Sequence, residues 1–249
     1  DLIVIGVTGT SGKSTTVDFI TRILEEGDSK VASISSIRFK IGQSEWKNNL
    51  KMTMPGRFTI QKFLRQVVRE KCKYAVLEVT SEGIKQHRHQ FINIAMAVLT
   101  NLSPEHIEAH GSFEKYRQAK GKLFQAVKDI HIINIDDKNA KYFLKFPSKQ
   151  KFYYGLNDNL KIDCELKIEN CKFVKATDVS ASLSGINFKV ENTAFYLHLL
   201  GEFNIYNALA SITVATNYGI SLDICKKALE KVQTMPGRME IVNKKPLVV

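Results

Sequence analysis

The chain has 249 residues, of which 44% are hydrophobic and 24% are charged. This composition is ordinary for a globular protein, and the length allows one large domain or one and a half. The sequence contains no run of eighteen apolar residues and does not open with a secretory leader, so we expect no membrane span and a cytoplasmic location. Because the chain begins at Asp1 rather than at a methionine, we expect it to be part of a longer protein.

The formal net charge of +11 is the largest deviation from average composition. It is compatible with nucleic acid, an anionic membrane face or a polyanionic small substrate as partner. The lysines are scattered, and no RNA-binding sheet, basic heptad or zinc-finger spacing is present, so we expect a nucleotide and an anionic substrate rather than nucleic acid. The four cysteines lack a C-x-x-C spacing, which argues against a zinc site or a redox pair and suits a reducing cytosol.

The first predicted element is a strand that leads into a glycine-rich turn. The apolar run from Leu2 to Ile5 precedes Gly-Val-Thr-Gly-Thr-Ser-Gly-Lys-Ser at positions 6–14, and an amphipathic helical pattern follows. This context is typical of a phosphate loop, in which backbone N–H groups surround phosphate oxygens, Lys13 supplies a cation and Ser14 can bind Mg²⁺. Five residues separate the outer two glycines, whereas the strict Walker pattern has four, so an ordinary glycine-rich surface turn is the alternative.

Strands and helices alternate along the next part of the chain. The predicted strands are Lys30 to Ser36, a hairpin from Ile37 to Trp46, Tyr74 to Val79, Ile94 to Leu99 and Ile130 to Ile135. The predicted helices are an amphipathic segment around Ile60 to Val67, Phe113 to Val127, Lys138 to Phe146, Gly201 to about Tyr218, and Leu222 to Val232 with Ser221 as its cap. This alternation predicts an α/β fold with a doubly wound, mostly parallel sheet.

A different pattern occupies the region from Lys151 to Leu200, where the helical period disappears. Short alternating segments follow one another there: Cys171 to Val174, Ala181 to Leu183, Ile186 to Val190, and Ala194 to Leu199. They predict a small antiparallel β subdomain.

Polar residues follow two of the predicted strands. Glu78 lies where ligands bind in open α/β sheets, although a solvated strand-end carboxylate is the alternative. The strand that ends at Leu99 runs into the stretch 100–111, which contains His106 and His110. A histidine pair at this spacing also occurs in zinc sites, but no third ligand lies at a recognisable distance, and Pro104 makes the stretch a loop that enters a helix.

Six sequence blocks, taken together and in order, resemble the Mur ligases, most closely the UDP-N-acetylmuramoyl-tripeptide synthetases of the MurE type. They are Gly-Val-Thr-Gly-Thr-Ser-Gly-Lys-Ser (6–14), Glu-Val-Thr-Ser-Glu-Gly-Ile-Lys-Gln-His-Arg (78–88), Thr-Asn-Leu-Ser-Pro-Glu-His-Ile-Glu-Ala-His-Gly (100–111), Tyr-Arg-Gln-Ala-Lys-Gly-Lys-Leu-Phe (116–124), Gly-Glu-Phe-Asn-Ile-Tyr-Asn (201–207) and Pro-Gly-Arg-Met-Glu (236–240). The blocks cover the chain from about residue 3 to residue 240. Six ordered blocks are far more specific than any one of them.

The resemblance implies a three-domain ligase, with residues 1–236 as its central ATPase domain and 237–249 as the hinge and the start of a C-terminal domain. It implies ATP and Mg²⁺ as cofactors, and a UDP-muramoyl-peptide and an amino acid as substrates. The expected protein is monomeric and forms an amide bond through an acyl phosphate in peptidoglycan precursor synthesis. Because a carboxylate must approach a triphosphate, metals and cations are needed to reduce their repulsion. A Mur-like nucleotide-binding module without ligase activity and a folylpolyglutamate-synthase-like ligase are the alternatives.

The resemblance also assigns roles to individual residues. The residues expected at the nucleotide are Gly9, Thr10, Ser11, Gly12, Lys13, Ser14 and Thr15 at the phosphates, Asn204 and Asn207 at the adenine, and Arg238 near the hinge. The residues expected at Mg²⁺ are Ser14, Glu78, His106 and, once carbamylated by CO₂, Lys120. The catalytic set is Lys13, Glu78, His106 and Lys120, whereas His110 is expected to be structural. A solvated lysine is the alternative for Lys120, helix capping for the two asparagines, and a surface arginine for Arg238.

For the acceptor substrate, the resemblance assigns Thr53, Thr80, Gln86 and Arg88. Two positions depart from the family pattern: Met54 replaces the second threonine of a pair, and Glu82 stands where a histidine is usual. These departures leave open whether the acceptor is the usual muramoyl dipeptide. We expect this chain alone to bind Mg-ATP weakly and to ligate little, because groups that orient the amine lie outside it.

Overall fold

The computed structural model describes residues 1–50, 52–104, 110–157 and 172–237, and the backbone of 243–244 and 247–248. The strands are β1 Ile3–Thr8, β2 Val31–Ile34, β3 Arg38–Ile41, β4 Ser44–Lys47, β5 Tyr74–Glu78, β6 Ile94–Leu99, β7 Ile130–Asn134, β8 Gln150–Gly155, β9 Lys172–Ser182, β10 Gly185–Val190, β11 Thr193–Leu197, β12 Asn243–Lys244 and β13 Leu247–Val248. The helices are α1 Lys13–Glu26, α2 Arg57–Arg69, α3 Ser81–Lys85, α4 Phe113–Ala126, α5 Ala140–Leu144, α6 Phe203–Asn217 and α7 Leu222–Glu230.

Eleven of these strands form one sheet in the order β11-β10-β9-β8-β7-β6-β1-β5-β2-β3-β4. The seven consecutive strands from β9 to β2 in this order are parallel to one another. Antiparallel hairpins close both edges. The predicted α/β fold with a doubly wound, mostly parallel sheet is confirmed.

The antiparallel strands predicted between residues 151 and 200 are present, but they continue the main sheet. The strand β8, which the sequence pattern did not predict, brings the buried Tyr153 and Tyr154 into the core and pairs in parallel with β7. The strand β9 is one element of eleven residues where the sequence pattern gave two short segments. Its first residues pair with β8 and its later residues pair with β10, so one long strand joins the parallel and antiparallel parts.

The core consists of two layers, one on each face of the sheet. Helices α1, α6 and α7 cover the face that receives Ile5 and Val7 of β1. Helices α2, α4 and α5 cover the face that receives Val4. Successive side chains of a strand point to opposite faces, and because both faces are covered the central strands are apolar throughout.

Side-chain caps fix the amino ends of three helices. The hydroxyl of Ser221 accepts a hydrogen bond from Ile224 N at 3.4 Å, as the sequence predicts for α7. Ser112 caps α4 in the same way. Thr80 caps the short helix α3, which the sequence pattern did not predict. Such caps satisfy backbone N–H groups that have no partner within the helix.

The sheet order places β1 at the point where the chain reverses its winding. From β1 the chain passes to β2 on one side, and from β5 it crosses β1 to reach β6 on the other. In open α/β sheets, ligands bind beyond the carboxyl ends of the strands at such a point. Among the helices that the structure describes, none has the length and apolar character needed to cross a membrane.

Candidate functional site

The turn between β1 and α1 lies at this switch point and requires glycine at two positions. Gly9 has φ 151° and Gly12 has φ 81°. A Cβ atom on Gly9 would lie 1.9 Å from Thr100 Oγ1, and one on Gly12 would lie 2.2 Å from Asn207 Oδ1. Neither distance is compatible with a side chain, so the backbone of the turn approaches both neighbours as closely as glycine permits.

The amino end of α1 has the properties of an anion site. Gly12 is its N-cap, and no side chain caps the helix. The first helical hydrogen bond runs from Thr16 N to Gly12 O at 2.8 Å, so the N–H groups of Lys13, Ser14 and Thr15 precede the regular ladder. Helix amino ends carry a partial positive charge, and together with such N–H groups they bind phosphate.

The stretch that follows β6 holds the turn in place. Ser11 N donates to Asn101 Oδ1 at 2.9 Å, and Asn101 Nδ2 donates back to Ser11 O at 3.0 Å. Thr100 Oγ1 donates to the same Ser11 carbonyl at 2.7 Å, and Thr10 N donates to Asn101 O at 2.8 Å. Thr100 and Asn101 therefore position the turn, a role that the sequence reasoning did not give them although it had singled out their block.

A second set of contacts fixes residues 99–102, the segment that holds the glycine turn. Asn134 Nδ2 donates to Thr100 O at 2.8 Å, and Leu102 N donates to Asp137 Oδ2 at 2.6 Å. The hydroxyl of Tyr154 donates to Leu99 O at 2.7 Å. Burial raises the pKa of Tyr154 well above its usual value, so the phenol stays protonated and keeps this donor.

Glu78, Ser14 and Ser36 form a compact polar cluster beside the turn. Glu78 ends β5, the neighbour of β1, and is 3% exposed, so the alternative of a solvated carboxylate is wrong. Its Oε2 accepts hydrogen bonds from Ser14 Oγ at 2.8 Å and from Ser36 N at 2.9 Å. Ser36 Oγ lies 2.7 Å from Ser14 Oγ. Ser36 was not predicted, because a serine after a strand carries no signal that distinguishes it from other turn residues.

Two lysines donate hydrogen bonds to backbone carbonyls of the turn. Lys13 Nζ donates to Thr10 O at 2.7 Å. Lys120 on α4 is 1% exposed, and its Nζ donates to Gly9 O at 2.6 Å, so the alternative of a solvated lysine is wrong. The Lys120 amine also lies 4.6 Å from the centre of the Tyr116 ring. Burial of an amine is costly unless groups such as these compensate it.

Asn204 and Asn207 lie at the start of α6 and face α1. Asn207 Nδ2 donates to Asn204 Oδ1 at 3.0 Å, and Asn204 Nδ2 donates to Leu200 O at 2.7 Å. The hydroxyl of Thr16 donates to Asn207 Oδ1 at 3.3 Å. The N-cap of α6 is Glu202, and no side chain caps it, so the alternative of helix capping by the asparagines is wrong.

A cavity of about 500 Å³ opens next to these asparagines. It is lined by Ser11, Gly12, Ser14, Thr15, Leu199, Phe203, Asn204, Asn207, Met235 and Gly237. Its walls combine apolar side chains with the amino end of α1. Such a combination suits a molecule with one flat apolar part and one anionic part.

A second cavity of about 720 Å³ lies on the other side of the turn. It is lined by Thr10, Ser11, Gly12, Lys13, Ser14, Ser36, Met52, Thr53, Met54, Glu78, Thr80, Ser81, Glu82, Arg88, His110, Tyr116 and Lys120. Residues 11, 12 and 14 border both cavities. The glycine turn is therefore the common wall between two spaces of different character.

Arg88 is held at the rim of the second cavity by neutral acceptors. Its guanidinium donates to Met54 O and to Gln86 Oε1, and it contacts Met52 Sδ at 3.4 Å. Gln86 is not among the residues that line the cavity, but its side-chain oxygen holds Arg88, which is. The Gln86 amide nitrogen donates to Glu82 Oε1 at 2.5 Å. Because these partners of Arg88 among the described residues are neutral, its charge stays available for an anion.

Met54, which stands where the family pattern has a threonine, fits into the fold as a buried side chain. Met54 is 2% exposed, and a Cβ on Gly83 would lie 2.6 Å from its sulfur. The Met54 side chain therefore packs over Gly83, and its backbone carbonyl contacts Arg88. Thr53 and Thr80 both line the cavity. The hydroxyl of Thr80 also accepts a hydrogen bond from Gly83 N as the cap of α3.

Two predicted site residues, His106 and Arg238, lie outside the described residues. His110 is described: its Nε2 lies 3.1 Å from Ser81 Oγ, and its ring lies 5.2 Å from that of Tyr116. Within the described parts of the chain, no group of three or more His, Cys, Asp or Glu side chains is arranged to hold a metal. The predicted metal set is thus represented in the described part by Ser14, Glu78 and Lys120.

The doubly wound sheet and the glycine turn at its switch point define an α/β protein of the phosphate-loop class. A more specific assignment comes from comparison with protein families, since the Mur ligase middle domain family matches residues 7–215. The chain therefore belongs to the Mur ligase family and represents its middle domain.

Relatives agree with this assignment. The chain is 35% identical over 245 residues to UDP-N-acetylmuramoyl-L-alanyl-D-glutamate–2,6-diaminopimelate ligase of Caldanaerobacter subterraneus subsp. tengcongensis, a match that covers 97% of the chain and 48% of the relative. It is 32% identical to UDP-N-acetylmuramyl-tripeptide synthetase of Roseiflexus sp., over 95% of the chain and 48% of the relative. A solved structure of a diaminopimelate ligase superposes with a TM-score of 0.81 at 27% identity, over 97% of the chain and 48% of that protein. The chain spans about half the length of these relatives.

Proposed function

We propose that this chain is the ATPase domain of a ligase that adds an amino acid to a UDP-N-acetylmuramoyl-peptide in peptidoglycan precursor synthesis. Residues 1–236 form the central domain, and residues 237–249 form the hinge and the start of a C-terminal ligase domain. The protein acts as a monomer in the cytoplasm, and its partners are these substrates rather than nucleic acid. The names of the relatives support the reaction. The observation that carries the proposal is the glycine turn that separates two cavities, one suited to a nucleoside and one to an anionic acceptor.

In this proposal ATP occupies the first cavity, with its phosphates over the turn. The backbone of Gly9 to Thr15 surrounds the phosphates, and Lys13 exchanges the Thr10 carbonyl for phosphate oxygens. Asn204 and Asn207 face the adenine, because an amide can donate and accept at once. Arg238, through the family resemblance, is proposed to contribute positive charge to the nucleotide site.

The donor set beside the turn fits Mg²⁺. Hydroxyl and carboxylate oxygens are the ligands that this hard cation prefers, and Ser14 and Glu78 already share a hydrogen bond. His106 and a carbamylated Lys120 complete the proposed set. Bound Mg²⁺ would supply charge neutralisation between the triphosphate and the acceptor.

The acceptor carboxylate enters the second cavity and attacks the γ-phosphorus of ATP, which releases ADP and forms an acyl phosphate. The incoming amine then displaces inorganic phosphate from it and forms the amide bond. Arg88 and Lys13 supply positive charge, and Thr53 and Thr80 supply polar wall groups. Gln86 holds Arg88 in place. Electrostatic attraction of this kind reduces the repulsion that a carboxylate meets near a triphosphate.

Acceptor-dependent release of ADP tests the proposal. The full-length protein that contains this chain should release ADP when a UDP-muramoyl dipeptide and an amino acid are both present. ATP binding without acceptor-dependent turnover would favour a nucleotide-binding module instead. Turnover with a folate polyglutamate acceptor in place of the muramoyl peptide would favour the folylpolyglutamate-synthase-like alternative.

A further inference from the structure

Tyr116 is a buried residue of the second cavity to which neither the sequence reasoning nor the proposed function gives a role. It lies in the first turns of α4 and is 1% exposed. It precedes Lys120 by four residues, so the two side chains lie on the same face of the helix. The helix α4 thus presents a phenol and an amine together to the glycine turn.

The Tyr116 hydroxyl reaches the turn directly, since it lies 3.1 Å from Thr10 Oγ1. Ser103 N donates to the same Thr10 oxygen at 3.0 Å, and this oxygen donates to Ser103 O at 3.3 Å. Either hydroxyl can donate in the pair of Thr10 and Tyr116, and with the two Ser103 contacts this bond uses the hydrogen-bonding capacity of the Thr10 oxygen. The side chain of Thr10 is then saturated by the protein.

The backbone groups of Thr10 are engaged as well. Its N–H donates to Asn101 O at 2.8 Å, and its carbonyl accepts from Lys13 Nζ at 2.7 Å. Thr10 therefore anchors the turn, and the contact from Tyr116 is part of that anchor. This makes the phenol a determinant of the shape of the turn.

The Tyr116 ring acts on a different residue. Lys120 Nζ lies 4.6 Å from the ring centre while it donates to Gly9 O at 2.6 Å. The aromatic face and the carbonyl together fix the end of the lysine side chain in a buried position. One residue of α4 therefore contacts Thr10 through its hydroxyl and Lys120 through its ring.

We propose that Tyr116 is a positioning residue that couples Lys120 to the glycine turn. The hydroxyl holds the turn in the shape that binds phosphate, and the ring holds Lys120 beside the metal-binding groups. The inference rests on the proposed function, because that function makes the turn the ATP site and Lys120 a metal-site residue. It predicts that the two parts of Tyr116 have separable effects.

The test measures ATP affinity by isothermal titration calorimetry, in Mg²⁺ and in EDTA, for this chain and two variants. Tyr116→Phe should weaken ATP binding about fivefold in both conditions, the loss expected for one hydrogen bond. Tyr116→Leu should also reduce, by about fivefold, the strengthening of ATP binding by Mg²⁺, because without the ring the end of the Lys120 side chain, which carries the proposed carbamate, is no longer fixed beside the turn. If Tyr116→Phe retains the strengthening of ATP binding by Mg²⁺ and Tyr116→Leu loses it, the ring of Tyr116 rather than its hydroxyl supports that strengthening.

Phe124→Leu is the matched control, since Phe124 is a buried aromatic residue of the same helix that packs against Phe143 and His131. It should lower the melting temperature without changing ATP affinity in either condition. Affinities within twofold of the unmodified chain for both Tyr116 variants would overturn the inference and leave the proposed function intact. Failure of the unmodified chain to bind ATP in Mg²⁺ would overturn the proposed function and this inference with it.

Discussion

Single side chains at the glycine turn have contacts that a bound anion would replace. Lys13 donates to the carbonyl of Thr10, and Ser14 donates to Glu78. Each contact satisfies a polar group with a neighbour that lies within the site itself. In the proposed function, Lys13 exchanges this carbonyl contact for phosphate oxygens, and Ser14 and Glu78 exchange part of theirs for Mg²⁺.

Replacement of Lys13 tests the electrostatic part of the site. Lys13→Ala should weaken ATP binding by about 10- to 100-fold, because a hydrogen bond from a charged group contributes about 1.5–3 kcal/mol. Calorimetric titration with Mg-ATP measures this loss. Lys62→Ala is the control, since Lys62 is exposed on α2. Equal affinities for both variants would remove Lys13 from the nucleotide site.

Replacement of Glu78 tests the metal site without a change of shape. Glu78→Gln keeps an oxygen that can accept from Ser14 and Ser36 but removes the negative charge. ATP affinity in this variant should no longer increase when Mg²⁺ replaces EDTA, because the amide is a poor magnesium ligand. Glu70→Gln, at an exposed ion pair with Lys30, should leave the Mg²⁺ effect unchanged. A full Mg²⁺ effect in Glu78→Gln would contradict the proposed ligand.

At the scale of elements, the sequence predicts the regular part of the fold well. Apolar periodicity identifies the large helices and the central strands other than β8, and Ser221 marks the start of α7. The pattern fails at β9, because alternation along a strand reports which face is buried and does not report which neighbour the strand pairs with. Pairing of one strand with both β8 and β10 depends on contacts that are distant in sequence.

The same limit explains what could be predicted of the site. The glycine turn and Glu78 are recognisable from local sequence, and the six ordered blocks point to Lys120 and the two asparagines. Ser36, Thr100 and Asn101 take part through contacts across strand ends. No local signal identifies Ser36, and the block at 100–111 points to Thr100 and Asn101 without giving them a role. The burial of Lys120 likewise follows from the packing of α4 on the sheet.

The turn between β1 and α1 should tolerate no side chain at its last glycine. Gly12→Ala should lower the free energy of unfolding by about 1–3 kcal/mol, because alanine is strained at φ 81° and its Cβ would clash with Asn207. Gly56→Ala is the matched control: this N-cap of α2 has φ −58° and no atom within 4 Å of an added Cβ. Denaturant unfolding compares the two variants. Equal stabilities would contradict the close approach of α6 to the turn.

The strand β7 carries a pH-dependent contribution to stability. Burial lowers the pKa of His131 from its usual 6.5 to about 4, and its Nδ1 has no hydrogen-bond partner within the described structure. Between these values the unfolded chain binds a proton that the folded chain does not, so stability falls as the pH falls from 6.5 to 4, by about 3 kcal/mol in total.

Substitution of His131 tests this contribution. His131→Gln should flatten the decline in the free energy of unfolding between pH 6.5 and 4, measured by urea unfolding at each pH, because glutamine does not titrate. His198→Gln, at a half-buried histidine of the β11 end, should keep the decline. An unchanged pH dependence in His131→Gln would show that other groups cause it.

In the molecule as a whole, the two cavities lie on opposite sides of the glycine turn and differ in their lining. In the proposed function, the nucleotide lies on the side bounded by α6 and the turn, and the acceptor lies on the side bounded by α3, α4 and the end of β5. The γ-phosphate of a nucleotide laid along the turn would pass from one cavity into the other. This arrangement suits transfer of a phosphoryl group to a carboxylate better than storage of a nucleotide.

The central claim is that a triphosphate bound at the glycine turn meets a metal held by Ser14 and Glu78. A crystal structure of this chain with Mg²⁺ and a non-hydrolysable ATP analogue tests it most directly. Phosphate oxygens are expected at the backbone N–H groups of Gly12 to Thr15, and Mg²⁺ is expected within bonding distance of Glu78. An empty turn, or a nucleotide bound elsewhere while Glu78 keeps its contacts with Ser14 and Ser36, would contradict it.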